Sequence, residues 1–215
     1  QRQMCIRDRN GTVGKSEKRV DAFDKVTGRA RYTDDLCDRN ALVAKVLHST
    51  IANGVVKAID TSAAEKIQGV VKIVTCFDVP EYKFPTAGHP WSTDPHHQDV
   101  ADRLLLTRRV RFYGDDVAAV VAENEIAAAE ALRAIQVEYE EFPLVLDAEE
   151  AMKPGAPQLH EDYPNNILAH TSIYKGDYDA AIKEPGLIRV EGWYDTPTVQ
   201  HCHIENHICF AEMEG

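Results

Sequence analysis

The pattern of residue types along this chain predicts an α+β fold in which one helix covers a mixed sheet. Three observations carry that expectation. Residues 110–113 and 117–123 flank Gly114-Asp115-Asp116 and read as strands. Asn124 then opens a stretch in which Ala128, Ala131, Leu132 and Ile135 recur at helical spacing. Residues 137–142 return to strand composition.

The other elements follow in chain order. Residues 41–47 alternate weakly and read as a strand. Ser62 with Glu65 three positions on can form a capping box, and Gly69 can close the turn in the left-handed region, so residues 62–68 read as a short helix. Residues 70–76 are β-branched and read as a strand. Residues 77–103 are rich in Pro, Gly, His and Asp and read as a long loop. The runs at 110–113 and 117–123 read as adjacent strands joined by a tight turn, with positive φ expected at Gly114. Residues 117–122 are continuously apolar, which implies burial on both faces.

A boundary is expected within residues 152–166, which hold Pro154, Gly155, Pro157 and Pro164. Beyond it, Ile188 and Val190 alternate with Arg189 and Glu191 as in a strand, and residues 204–210 read as another. Residues 1–10 lack periodicity and read as an assembly or sequencing remnant. The expected organisation is a lead over residues 1–12, a first domain over 13–152, and the incomplete start of a second over 153–215.

Composition narrows the function. The 215 residues are 44% hydrophobic and 27% charged, ordinary for a soluble globular protein. A net charge of −11 argues against nucleic acid as a partner, because phosphate neutralisation needs surplus Lys and Arg. No run approaches the ~20 apolar residues of a membrane span. The five cysteines, Cys5, Cys37, Cys76, Cys202 and Cys209, are odd in number and widely spaced, which fits free thiols in a reducing, cytoplasmic compartment.

Candidate sites are few. Gly14-Lys15-Ser16 mimics the end of a phosphate-binding loop, but Arg9 stands where that loop needs its first glycine. Arg103, Arg108, Arg109 and Arg111 form the one basic cluster, read as a solvated strand edge in preference to an anion site. His201, His203, Glu205 and His207 are spaced by two, so a strand would place them on one face. Successive members would stand ~7 Å apart, too splayed for one zinc ion without help. The preferred reading is a polar strand face and no metal site. His89, Trp91, His96 and His97 could shape a partner surface on the long loop, although a solvated insertion is preferred.

Three motifs resemble one family. They are Val20-Asp21-Ala22-Phe23-Asp24-Lys25-Val26-Thr27-Gly28-Arg29-Ala30-Arg31-Tyr32, then Phe112-Tyr113-Gly114-Asp115-Asp116-Val117-Ala118-Ala119-Val120-Val121, then Gly176-Asp177-Tyr178-Asp179-Ala180-Ala181 followed by Gln200-His201 and Ile204-Glu205-Asn206. In this order they resemble the molybdenum-binding subunit of the xanthine dehydrogenase and aldehyde oxidase family. The resemblance implies an α/β hammerhead domain followed by the truncated start of the molybdenum-cofactor domain. It implies a parent enzyme that hydroxylates xanthine, another purine or a related N-heterocycle with oxygen from water. The implied cofactor is molybdenum-molybdopterin, with iron–sulfur and FAD centres on partner domains or subunits, and the parent is expected to be an oligomer. Alternatives are an aldehyde, carbon monoxide or aromatic acyl-thioester oxidoreductase of the same family, or a non-catalytic scaffold. No catalytic residue and no metal ligand is assigned in this chain. Gln200, His201 and Glu205 are expected only to face the cofactor domain. The family's Gly-Gly-rich pterin loop has no counterpart among the 12 glycines, none of which adjoins another. The 215-residue chain alone is therefore predicted inactive.

Overall fold

In the computed structural model, residues 14–85, 101–168, 170 and 172–213 are described. By its internal contacts the chain divides into two units, Asn40–Tyr194 and a second that joins Gln1–Arg39 to Asp195–Gly215.

The larger unit holds the strands β1 (Val43–His48), β2 (Gly54–Asp60), β3 (Val70–Thr75), β4 (Arg109–Val110), β5 (Asp116–Ala122) and β6 (Gln136–Glu141). They form two three-stranded sheets, in the orders β1-β5-β3 and β4-β2-β6, with antiparallel pairing throughout. The α+β class is as expected; the sequence did not resolve the division into two sheets. The apolar run at 117–122 is the central strand of the first sheet, and Val117, Ala118, Val120 and Ala122 are buried. A central strand has neighbours at both edges and layers on both faces, which is why it lacks alternation.

The hairpin expected around Gly114 is corrected. β4 pairs with β2 while β5 pairs with β1 and β3, so the turn carries the chain from one sheet into the other. Gly114 has the expected positive φ, at +102°. Side chains satisfy the turn's backbone N–H groups, which therefore do not need a ladder between the flanking strands.

The covering helix α3 (Glu125–Ala134) starts as expected, with the Asn124 side chain accepting a hydrogen bond from the Ala127 N–H. Two shorter helices precede it, α1 (Ala22–Val26) and α2 (Thr33–Leu36), both in the smaller unit. α3 buries Ala127, Ala128 and Ala131 against Val120 and Ala122 of β5. Small side chains on both surfaces let helix and sheet approach closely. A second apolar cluster holds Ile51, Val56, Val110 and Val117. Leu47, Ile59 and Val137 pack against both clusters and join the two sheets into one core.

The helix expected at 62–68 is only a 3-10 turn, Ala64–Lys66. Its start is tied by Thr61, which accepts the Glu65 N–H at its carbonyl and donates its hydroxyl to Glu65. Asp60 takes the Ser62 N–H, so the expected Ser62–Glu65 box does not form. Gly69 does close the turn, at φ +90°. The strands expected around Ile188 and within 204–210 are also corrected: the described backbone there carries none, and Ile188, Val190 and Ile204 are exposed. An alternating pattern becomes a strand only where a sheet edge offers its ladder.

Gly54 is more tightly enclosed than Gly114. A methyl group on Gly54 would run into the Glu140 carbonyl oxygen and stand 2.6 Å from Ile51 Cδ1, whereas one on Gly114 meets only Phe112 at 3.9 Å. Gly54→Ala is expected to destabilise by about 1–3 kcal/mol or more through overpacking. Gly114→Ala carries only backbone strain of about 1–3 kcal/mol. Chemical denaturation checks the order, and a larger loss for Gly114→Ala would reverse it. Asn124→Ala should cost about 1 kcal/mol as a lost cap. An unchanged denaturation midpoint for that variant would show that the cap bond contributes nothing.

Candidate functional site

The most structured polar site lies where the chain crosses between the sheets. Asp115 is 4% exposed and Ser49 1%. One Asp115 carboxylate oxygen accepts the backbone N–H groups of Arg111 at 2.7 Å and Phe112 at 3.3 Å, and the other accepts Arg103 Nη1 at 2.7 Å. Ser49 Oγ accepts the N–H groups of Gly114 at 3.2 Å and Asp115 at 3.1 Å, and its hydroxyl donates toward the carbonyls of Ile51 and Phe112. Sequence reasoning passed over both residues, because a Ser before an apolar run and an Asp in a turn are ordinary locally.

Beside this crossing lies a cavity of about 250 Å³, whose walls include Arg103, Thr107, Arg109, Arg111 and Asp115. A second cavity, of about 340 Å³, shares Arg109 and Arg111 and adds His160 and Tyr163. The basic cluster is thus only partly the solvated edge expected of it: Arg108 is exposed, while Arg103, Arg109 and Arg111 are half-buried. Arg109 Nη1 donates to Asn53 Oδ1 at 2.8 Å, to the Gly54 carbonyl at 3.0 Å and to the Val110 carbonyl, and the guanidinium lies 5.2 Å from the Phe142 ring centre. Arg111 Nε donates to the Leu159 carbonyl at 3.0 Å. Burial lowers the pKa of Arg109, and the like charge of Arg111 adds to the effect. Burial, with Arg111 beside it, also lowers that of His160, although Asp102 at 3.6 Å opposes the shift.

The loop carrying His160 is folded around Asn166, whose Oδ1 accepts the Leu159 N–H at 2.8 Å. Its Nδ2 donates to the carbonyls of Ala151 at 2.9 Å and Pro157 at 3.0 Å.

Gln200, His201 and Glu205 are all exposed. Gln200 Oε1 accepts the His201 N–H at 2.7 Å, and Glu205 Oε1 accepts the N–H of Thr33, the first residue of α2, at 3.4 Å. The rings of His201 and His203 stack at 5.3 Å, and those of His203 and His207 meet edge to face at 6.1 Å. No strand aligns these residues, and Cys202 has a positive φ of 51°. They do not fit a molybdenum–pterin group: their side chains are in solvent, they line no described cavity, and no cluster among the described residues could hold a metal ion. Burial pushes the half-buried Cys76 thiol up to about 11, away from the thiolate form a ligand or nucleophile needs. His89, Trp91, His96 and His97 lie outside the described residues. Gly14-Lys15-Ser16 is exposed, with no described strand before it. No helix among the described residues is long and apolar enough to cross a membrane.

The Asp115 pair makes a specific expectation. Removing one partner of a buried ion pair typically costs about 3–5 kcal/mol, whereas an exposed pair contributes about 0–1 kcal/mol. Asp115→Ala should therefore destabilise far more than Asp116→Ala, which loses only the exposed contact to His48. Urea denaturation of both variants checks this, and equal losses would refute the role given to Asp115.

Residues 27–143 match the family described as aldehyde oxidase and xanthine dehydrogenase, a/b hammerhead domain. The chain is 42% identical to the xanthine dehydrogenase molybdenum-binding subunit of Escherichia coli O157:H7, over 91% of its own length and 26% of that protein's. Among solved structures it is similar to the aldehyde oxidoreductase of Desulfovibrio gigas, at TM-score 0.61 and 30% identity, over 70% of this chain and 17% of that one. It is also similar to the CO dehydrogenase of Oligotropha carboxidovorans, at TM-score 0.56 and 33% identity, over 69% and 18%. The chain thus spans about a quarter of the length of the curated relatives first matched.

Proposed function

The chain belongs to the aldehyde oxidase and xanthine dehydrogenase family through its hammerhead domain, and on that premise we propose that it is the hammerhead-bearing part of a molybdenum hydroxylase large subunit. The parent reaction in this reading is oxidative hydroxylation of xanthine, another purine or a related N-heterocycle, with water as the oxygen source. The observation that carries it is the 42% identity to a xanthine dehydrogenase molybdenum-binding subunit across nearly the whole chain. A second reading, oxidation of an aldehyde or of carbon monoxide, draws on the likeness to two solved enzymes with those names.

In such enzymes the cofactor carries the bond-making chemistry, and the protein supplies position and insulation. Molybdenum–pterin would supply the redox chemistry of such a parent, with iron–sulfur and flavin centres on partner domains or subunits in a cytoplasmic assembly, and no described residue of this chain is assigned to hold it. In this reading the chain contributes its two-sheet body to that assembly. Gln200, His201 and Glu205 are proposed to face the cofactor domain, as supporting residues without a catalytic role.

Two measurements test the proposal. The isolated chain, analysed for metals, should contain no stoichiometric molybdenum and should not oxidise xanthine. A chimera of the Escherichia coli O157:H7 relative that carries residues 27–143 of this chain should hydroxylate xanthine and place ¹⁸O from labelled water in the product. Stoichiometric molybdenum in the isolated chain, or a folded, metal-loaded chimera without xanthine turnover, would count against it.

A further inference from the structure

Arg109 and Arg111 lie two residues apart on one stretch of chain, are half-buried, and line both cavities beside the sheet crossing. Charged groups withdrawn from water are normally paired, because losing hydration without a counter-charge is costly. Asp102 lines both cavities, and Asp115 and Asp116 line the first. Asp115 pairs with Arg103 and holds two backbone N–H groups, Asp116 pairs with His48, and Asp102 faces His160. Among the described residues, no carboxylate forms an ion pair with Arg109 or Arg111, although Asp115 and Glu161 act on Arg109 from further off. Glu161 and Asp162 line the second cavity from exposed positions, as do Glu81 and Lys83. The guanidiniums are held by neutral carbonyls and an amide, which fix their orientation without neutralising them. Thr107 lines both cavities as well.

Two fixed guanidiniums of like charge, with an imidazole on the same wall, form an arrangement that a small oxyanion completes. Arginine forks match the oxygen spacing of phosphate and carboxylate groups. We infer that the cavity walled by Arg109, Arg111 and His160 is a binding site for a small oxyanion, a phosphate or carboxylate group. The inference does not rest on the proposed hydroxylation. The anion supplies a direct counter-charge that no described carboxylate gives Arg109 or Arg111, and it ties the loop around Asn166 to the sheet crossing.

The test uses the 215-residue chain and inorganic phosphate. Isothermal titration at constant ionic strength should show saturable binding, with acetate as the carboxylate arm and chloride as the control. Arg111→Gln should weaken phosphate binding by about tenfold or more, the scale of one lost charge-assisted hydrogen bond. Arg133→Gln, on an exposed position of α3, should leave it unchanged. His160 gives an independent readout without any substitution. Its side chain faces Arg109, Arg111, Asp102 and Tyr163. A bound anion favours the charged imidazole, so the NMR titration midpoint of His160 should rise on adding phosphate. Absence of saturable binding of either anion overturns the inference. So does binding that Arg111→Gln leaves intact, or a His160 midpoint that phosphate does not move.

Discussion

The fold turns on one buried carboxylate. Where the chain leaves β4 and enters β5 it abandons one ladder before joining another, and the intervening backbone N–H groups have no strand to bond. Asp115 accepts two of them and Ser49, from the end of β1, accepts two more. Arg103 supplies the counter-charge that lets the carboxylate stay out of water. Without this knot the N–H groups of Arg111 and Phe112 would lose their acceptor, while those of Gly114 and Asp115 also reach the carbonyls of Ser49 and Phe112.

The arginines before the crossing are held by hydrogen bonds to neighbouring segments. Arg109 is clamped to the edge of β2 through Asn53 and Gly54, and Asn53 also donates to Pro143 just after β6. Arg111 reaches in the other direction, to the Leu159 carbonyl on the loop organised by Asn166. Electrostatics and chain topology are therefore one problem in this region, since the residues that carry charge are also those that join the segments.

The apolar interior follows a different logic. α3 presents alanines to β5, so the helix approaches the sheet closely and each contact is individually small. Larger side chains, Leu47, Ile59 and Val137, are kept for the junction between the two clusters. Function is read from sites and not from the fold alone.

The family and several local elements were legible in the sequence, although β2, α1 and α2 were not expected. The Asn124 cap, the helical stripe after it, the continuous apolar run of β5 and the positive φ of Gly114 are each set by interactions within a few residues, and such interactions leave a periodic or compositional trace. The pairing of strands was not legible. β4 lies beside β2 and not beside β5, and the turn from β4 to β5 donates to Ser49 Oγ, more than sixty positions away. The same limit hid the half-buried state of Arg109 and Arg111, because a run of arginines reads alike whether solvent or a cavity wall surrounds it. It also misplaced the strands around Ile188 and Ile204, where alternation was present but no described edge was there to pair with. Sequence determined which residues prefer which backbone. Only the tertiary structure decided which distant groups satisfy them, because hydrogen bonds and counter-charges are supplied across space and not along the chain.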